Sequence, residues 1–164
     1  MCLWSNSEIN LNNNMNNPMP LVEIYTDGAC SGNPGLGGWG ALLIFKGKKK
    51  EISGYLEDTT NNQMELMAAI EALKILKKSC KVNLYTDSTY VQKGITEWIY
   101  SWEKNNWRKR DNRPVKNVEL WQKLQQKIEK HDIIWNWVKG HSDNEGNNIA
   151  DRLAVEAREK ARRK

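Results

Sequence analysis

The alternation of apolar and polar residues predicts five β-strands along the chain. They are Leu21–Thr26, Trp39–Phe45, Glu51–Leu56, Val82–Thr86 and Ile133–Val138. The first three follow one another closely and are separated by a glycine cluster and a short lysine-rich turn, which is typical of antiparallel neighbours. The last two are short and stand between helical patterns. This order predicts a mixed sheet with three antiparallel strands, then two parallel strands, and helices on its faces.

A helical period of about 3.6 residues predicts four helical segments. They are Thr59–Lys78, Ser88–Trp102, Val118–Lys130 and Asn147–Arg163. The first segment has one apolar face, formed by Leu66, Ile70, Leu73 and Leu76. Its start offers three candidate N-caps, Thr59, Thr60 and Asn61. The predicted fold class is therefore α/β, a five-stranded mixed sheet flanked by helices.

The length of 164 residues suits one domain with its own core and is short for two. We predict a folded domain over residues 21–164. Residues 1–20 hold seven asparagines and a single charged residue, Glu8, without the pattern of a signal or transit peptide. We expect a disordered leader here, or a consequence of start-site choice, since Met19 would also serve as a start.

Cysteine usage and hydropathy limit the possible environments of the chain. Cys2, Cys30 and Cys80 are odd in number and widely spaced, which argues against a disulfide framework and for a reducing compartment. No apolar run approaches the roughly 18–20 residues of a membrane span. We therefore expect a cytoplasmic protein without a membrane partner. We also expect a monomer without an obligate protein partner.

Positive charge is concentrated in two segments of the chain. The formal net charge is +5, yet residues 102–116 carry six bases against two acids, and residues 156–164 carry five bases against two acids. The remainder is slightly acidic. Local basic patches of this kind indicate a protein that binds polyanions.

Four carboxylates stand in unusual local contexts. Asp27 and Asp87 each follow a predicted strand, Glu65 lies in the first turns of a predicted helix, and Asp151 lies one turn into the last helix. Any one of them could equally be a helix cap or a surface acid. Ligands collect where the strands of α/β sheets end, and clustered acids are tolerable when cations occupy them. Oxygen-only ligands suit Mg²⁺ or Mn²⁺, so the set predicts a metal site for phosphate chemistry.

Five ordered motifs resemble bacterial ribonuclease HI, the type 1 ribonuclease H family. They are TDGACSGNPGLGGWGA, TTNNQMELMAAIEAL, TDSTYVQKGITEWI, RPVKNVELW and WVKGHSDNEGNNIADRLA, and the resemblance extends over residues 21–157. It implies the ribonuclease H-like fold and endonucleolytic hydrolysis of the RNA strand of RNA–DNA hybrids. The products would carry 3′-hydroxyl and 5′-phosphate ends.

The resemblance also implies catalytic roles. Asp27, Glu65, Asp87 and Asp151 match the family's metal-binding carboxylates, which hold two Mg²⁺ ions, with Mn²⁺ as a possible substitute. Asp27 would bridge both ions. His141 matches a mobile histidine that handles protons or helps product leave, although an ordinary exposed loop histidine is the alternative.

Further matches concern the nucleic acid. Those facing the RNA minor groove are Cys30, Asn33, Asn61 and Asn62, although Cys30 is alternatively a core thiol. Thr60 and Asn117 match family residues that bind a phosphate of the DNA strand. Trp98 matches a family residue that packs on a deoxyribose of that strand. Residues 102–116 match a basic protrusion, here called the handle. Its proposed contacts are Trp102, Lys104, Arg108, Lys109, Arg110 and Lys116, with a solvated charged loop as the alternative.

Two further sequence features bear on this comparison. Thr89 stands where the bacterial pattern usually has glutamine, which removes one base or sugar contact. For Trp121, Trp135 and Trp137 we predict core packing rather than contact with nucleic acid.

Two other functions remain open on the sequence. The first is a hybrid-binding protein without catalysis, against which the four acids and His141 argue. The second is a DNA-cutting or strand-transfer enzyme of the same fold, against which the short chain and its glycine and asparagine motifs argue.

Overall fold

The five predicted strands form one mixed sheet in the computed structural model, which describes residues 18–140 and 143–164. The strands are β1 (Leu21–Cys30), β2 (Gly35–Phe45), β3 (Lys48–Thr59), β4 (Lys81–Thr86) and β5 (Asp132–Trp137). Their order in the sheet is β3-β2-β1-β4-β5. The β1–β2 and β2–β3 pairs are antiparallel, whereas β1–β4 and β4–β5 are parallel. The predicted fold class is confirmed.

The helices follow the predicted segments with two differences. They are α1 (Asn61–Lys74), α2 (Thr89–Lys93), α3 (Ile99–Lys104), α4 (Val118–Glu129) and α5 (Glu145–Arg162). A π-helical turn, Gly94–Trp98, joins α2 to α3 within what the sequence predicts as one helical segment. The prediction that α1 continues to Lys78 is wrong, because the chain must turn after Lys74 to enter β4. No helix in the described ranges is long and apolar enough to cross a membrane.

The core lies mainly between α1 and the sheet. Val22 and Ile24 of β1 pack with Leu66 and Leu73 of α1, and all four side chains are buried. α4 packs against α1 and adds Trp121, which is fully buried. α5 packs on β1, β2 and β3. Burial on this scale holds the ends of β1, β4 and α1 at fixed positions.

The predicted end of the first strand at Thr26 is wrong. β1 continues to Cys30 because Gly28, Ala29 and Cys30 pair with Trp39, Gly38 and Gly37 of β2. Glycine weakens a strand because it loses more backbone entropy and has no side chain to pack. Here the strand continues because each of these residues has a backbone partner in β2. Asp27 therefore lies inside a strand rather than beyond its end.

The three tryptophans predicted to be in the core differ in burial. Trp121 is fully buried, and Trp135 is partly buried against the core. Trp137 is 50% exposed, so the prediction of core packing is wrong for this residue. It is the last residue of β5, which is an edge strand of the sheet, and little structure covers that position.

The predicted leader, residues 1–20, falls outside the described residues except for its last three positions. The predicted handle has a defined backbone. Arg108 pairs with Pro114 in a short bridge, Lys109 N–H donates to Arg113 O, and Val115 N–H donates to Trp107 O.

Substitution of Gly94 by alanine is expected to destabilise the protein. A Cβ atom at this position would collide with the indole ring of Trp121. Overpacking of a dense core costs about 1–3 kcal/mol, so the free energy of unfolding in urea should fall by that amount. Ser101→Ala on exposed α3 is the control and should change stability by less than about 0.5 kcal/mol. Equal stability of the two variants would contradict the packing at Gly94.

Candidate active site

Asp27 and Asp87 are brought together by the register of two parallel strands. Thr26 of β1 lies opposite Thr86 of β4, and each aspartate is the next residue along its strand direction. Asp27 is 5% exposed, and the N–H of Gly28 donates to its Oδ1 at 2.9 Å. The two carboxylates therefore emerge side by side at the centre of the sheet.

Glu65 reaches the same place because Gly28 lets α1 approach the backbone of β1. A Cβ atom at Gly28 would lie 2.7 Å from the Glu65 nitrogen and 2.8 Å from Met64 Cβ, distances that no ordinary contact allows. Thr60 is the N-cap of α1, and its side chain accepts from the Gln63 N–H in a capping box. This start places Glu65 in the second helical turn, over β1, where it is 4% exposed.

The acids form one cluster. Asp27, Glu65 and Asp87 each present an oxygen atom within 4.8 Å of the others. Asp151 of α5 borders the same cleft and shares a hydrogen bond with Asp27. The structure thus brings together three of the four predicted carboxylates as one potential ligand set, with the fourth beside them.

Burial and repulsion shift the ionisation of this cluster. Burial, the negative charge of Asp87 and the hydrogen bond with Asp151 raise the pKa of Asp27 to about 8. Burial, followed by the charges of Asp27 and Asp87, raises the pKa of Glu65 well above its usual range. Like charges held this close disfavour ionisation unless a cation is present.

The donor set fits divalent cations. Within the described residues, Glu65 Oε2 is buried and has no hydrogen-bond partner, which is costly for a carboxylate oxygen unless something else binds it. The surrounding ligand atoms are all oxygen, the type that Mg²⁺ and Mn²⁺ prefer. A bound cation would satisfy the orphaned oxygen and offset the repulsion among the acids.

Asn147 is a site residue that the sequence analysis missed. It is 2% exposed, and its Oδ1 is buried without a hydrogen-bond partner in the described part of the chain. It lines the cleft beside Asp27, Asp87 and Asp151. Its position four residues before Asp151 places both on one helix face, and this spacing is the signal that could have identified it.

A hydrogen-bonded network organises the surface next to the acids. Gln63 Oε1 accepts from the Thr60 N–H at 3.2 Å, and Gln63 Nε2 donates to Asn117 Oδ1 at 3.0 Å. Asn117 Nδ2 and Trp121 Nε1 both donate to the Tyr90 hydroxyl. Gln63 and Tyr90 were not predicted. Gln63 connects Thr60 to Asn117, and Tyr90 connects Asn117 to Trp121. Thr60 and Asn117 share a pocket with Asn33 and Lys116.

The asparagines predicted to face RNA lie together between this pocket and the acids. Asn61 and Asn62 are exposed at the start of α1 and border both cavities. Asn33 Oδ1 accepts from the Asn61 N–H at 3.0 Å. Cys30 is partly buried, with its Sγ 3.4 Å from Thr59 O. Thr89 lines the acidic cleft.

The aromatic residues leading to the handle form a continuous cluster of edge-on and tilted ring contacts, here called the aromatic stack. Trp98 contacts Tyr90 edge-on at 5.7 Å between ring centroids, and Trp102 lies 5.4 Å from Trp121 and 6.1 Å from Trp107. This stack anchors the handle to the core. The predicted handle cations are exposed, namely Lys104, Arg108, Lys109, Arg110 and Lys116. His141 lies outside the described residues.

Comparison with known proteins agrees with this geometry. The RNase H family matches residues 19–159. Ribonuclease H of Rickettsia akari (strain Hartford) is 66% identical over 140 residues, which is 85% of this chain and 92% of that protein.

Two solved structures are also similar. LC9-RNase H1, a type 1 RNase H with the type 2 active-site motif, has a TM-score of 0.79 at 32% identity, covering 87% of this chain and 74% of its own. LC11-RNase H1, solved in complex with an RNA/DNA hybrid, has a TM-score of 0.62 at 27% identity, covering 85% and 98%.

The sheet and its buried acids define a nuclease of the metal-dependent class. The chain belongs to the RNase H family. Its reaction class is that of a hydrolase, an endoribonuclease.

Proposed function

We propose that this protein hydrolyses the RNA strand of RNA–DNA hybrids, leaving 3′-hydroxyl and 5′-phosphate ends. The observation that carries this proposal is the cluster of buried Asp27 and Glu65 with partly buried Asp87, beside a polar groove. The hybrid bound to LC11-RNase H1 supports the substrate.

Asp27, Glu65, Asp87 and Asp151 are the residues that would hold two Mg²⁺ ions. When bound, such ions activate a water molecule and stabilise the leaving oxygen of a phosphodiester. The acids supply the negative charge that retains the ions, and their burial strengthens that attraction. His141 is the proposed proton carrier or product-release group.

Selection of the hybrid requires different contacts to its two strands. A 2′-hydroxyl can both donate and accept hydrogen bonds, so small polar groups recognise the RNA strand. Asn33, Asn61 and Asn62, together with Cys30, are our candidates on this side. Thr60 and Asn117 are our candidates for a DNA phosphate, because the Gln63 network holds both beside exposed Lys116. Trp98 is the proposed deoxyribose contact.

The substrate proposal is tested with a panel of duplexes labelled on separate strands. In Mg²⁺, we expect cutting of RNA paired with DNA, but not of DNA in the same hybrid, double-stranded RNA or single-stranded RNA. End-labelling of the products with and without prior phosphatase treatment reports whether the 5′ ends carry phosphate. Cleavage of single-stranded RNA at the same rate as the hybrid would refute the proposed selectivity.

The proposed handle contacts predict a salt-dependent loss of affinity. The double change Lys109→Ala and Arg110→Ala should weaken hybrid binding by roughly five- to tenfold at low salt, by the same factor for unrelated sequences. The slope of log affinity against log salt should fall by about 1–2, because each lost phosphate contact removes about one released ion. Fluorescence anisotropy in an Asp27→Asn background avoids cutting during the measurement.

A control at the start of β3 separates handle contacts from general charge. Lys48→Ala with Lys50→Ala removes the same charge from exposed positions and should leave the slope unchanged. Equal effects of the two double variants would show that the handle makes no specific phosphate contacts.

We further propose that residues 21–164 form the catalytic domain, with the handle at about 102–116, and that the protein acts as a cytoplasmic monomer. If the leader supplies no catalytic residue, residues 19–164 should cleave the hybrid at the same rate as the full chain. Sedimentation at several protein concentrations tests the monomer.

A further inference from the structure

The basic carboxyl end of α5 has no part in the contacts proposed so far. Two of its bases, Arg158 and Arg162, follow Asp151 by seven and eleven residues. At about 100° per residue, both side chains leave the helix within roughly 20° of the direction of Asp151, and roughly 10 and 16 Å further along the axis. Asp151 borders the acidic cleft. One face of α5 therefore carries an acid of the cleft near its start and two arginines near its end, here called the arginine pair.

The arginine pair is joined to the loop between β1 and β2. Arg162 Nη2 donates to Ser31 Oγ of this loop at 2.6 Å. Two residues further along, Asn33 Oδ1 accepts from the Asn61 N–H at 3.0 Å. The same short loop is thus bound to α5 at one point and to the start of α1 at another, beside the asparagines that we assign to the RNA strand.

The arginine pair and the handle belong to opposite faces of the sheet. Gly28 faces α1, and the next residue, Ala29, pairs with Gly38, where a Cβ atom would lie 2.7 Å from the Arg158 nitrogen of α5. Neighbouring residues of a strand point to opposite faces, so α1 and α5 cover opposite faces. α4, which begins just after the handle, packs against α1. The arginine pair is therefore a separate basic site.

The two guanidinium groups are held in place without being neutralised. Arg158 Nε donates to Glu159 Oε1, and Arg162 Nη1 donates to Glu159 Oε2, each at 3.2 Å. Among the described residues no other acid forms an ion pair with either arginine, so one carboxylate serves two cations. The Ser31 hydroxyl accepts from Arg162 and keeps its own O–H to donate. Arginine binds phosphate oxygens through paired N–H donors, so this arrangement suits a phosphate.

We infer that the arginine pair and the Ser31 hydroxyl bind phosphates of the RNA strand, beyond the nucleotide at Asn33, an assignment that rests on the proposed function for its substrate. The Cα atoms of Ser31 and Asn33 are at most about 7 Å apart, so a strand lying against Asn33 passes close to Ser31. The DNA-strand candidates lie instead on the α1 side of the sheet, with the handle. The RNA strand is thus held on both sides of the cut, by the acids at one end of the α5 face and by the arginine pair at the other.

The test compares two double variants of the same helix. Arg158→Ala with Arg162→Ala removes the proposed contacts, whereas Lys160→Ala with Arg163→Ala removes the same charge from exposed positions on other faces of α5. The attraction of cations to the carbonyl end of a helix acts on both pairs alike. By fluorescence anisotropy in the Asp27→Asn background, the first variant should bind hybrid roughly five- to tenfold more weakly, with a salt slope smaller by about 1–2. The second should keep the slope of the parent protein.

A conservative variant separates phosphate binding from packing. Arg158→Lys with Arg162→Lys returns the positive charge and should restore the salt slope and most of the affinity. Failure of the lysines to restore either quantity, in a protein that circular dichroism shows to be folded, would assign the arginine pair to structure alone. Equal hybrid affinity of the two alanine double variants would also overturn the inference.

Cleavage mapping with otherwise unchanged protein assigns the strand. On an end-labelled hybrid, the arginine-to-alanine variant should have a lower kcat/KM at interior positions, through KM rather than kcat, because the contact is present before and during the reaction. At cuts next to one end of the RNA strand, where no phosphate reaches the arginine pair, variant and parent should agree. A difference that follows the end of the DNA strand instead would contradict the assignment to RNA. A parent protein that cuts no hybrid would refute the proposed function, while the anisotropy comparison would still decide whether the arginine pair binds the hybrid.

Discussion

Asp27→Asn protein is expected to cut the RNA strand of a hybrid slower by a factor on the order of 10³ or more. Asp27 lies in one cluster with Glu65 and Asp87. It also shares a hydrogen bond with Asp151. Asparagine retains the size of the side chain but removes the negative charge that, on our proposal, holds a cation. Loss of several kcal/mol of charge stabilisation corresponds to this rate factor, since each 1.36 kcal/mol is about tenfold. Single-turnover cleavage of labelled hybrid in Mg²⁺ measures it.

The matched control for this change is Asp58→Asn. Asp58 is exposed on β3 and lines neither the cleft nor the groove, so the rate should remain within about twofold of the parent protein. The Asp27 variant should fold normally, since a buried repulsive charge has been removed. Similar rates for the Asp27 variant and the parent would contradict the assigned role of the cluster.

The second large effect concerns the stability of the metal-free protein. Its free energy of unfolding should fall as the pH rises from the ordinary aspartate value of 3.8 towards about 8. In this window the folded protein binds more protons than the unfolded chain, because the pKa of Asp27 is raised on folding. Stability therefore decreases with pH, by up to about 1.4 kcal/mol per pH unit for one proton. The raised pKa of Glu65 acts in the same direction.

Urea unfolding in the presence of a chelator, across this pH range, measures the slope. Asp27→Asn protein should show a clearly smaller slope, because one of the two shifted groups is gone. Mg²⁺ at 100 times its dissociation constant should restore about 2.7 kcal/mol at the alkaline end, and less at the acidic end, where protons compete for the same oxygens. A metal-free protein whose stability rises steadily across this range would be inconsistent with a buried, mutually repelling cluster.

Much of the fold could be predicted from local sequence patterns. Alternation along Val82–Thr86 and the apolar face of α1 each reflect burial on one side of an element, which sequence records directly. The errors occurred where a neighbouring element decides the outcome. β1 continues through Gly28 because β2 completes its ladder, and Trp137 is exposed because no element covers the end of the edge strand β5.

The site was predictable to the extent that its residues stand in recognisable motifs. Asp27, Glu65 and Asp87 converge as expected. Gln63 and Tyr90 were missed because their contribution is to hold other side chains, through hydrogen bonds to Thr60 and Asn117. Tyr90 and Asn117 are 27 residues apart in the sequence, and Gln63 and Asn117 are 54 residues apart. Only the folded chain reveals these two contacts with Asn117.

Our proposal for the acidic cluster is that it uses divalent cations to cut RNA paired with DNA. The most direct measurement is cleavage of one hybrid labelled on both strands, with Mg²⁺ and with a chelator in its place. We expect fragments of the RNA strand alone, formed only with Mg²⁺, and an intact DNA strand in both reactions. Cutting of the DNA strand, or equal cutting of RNA in the presence of the chelator, would contradict it.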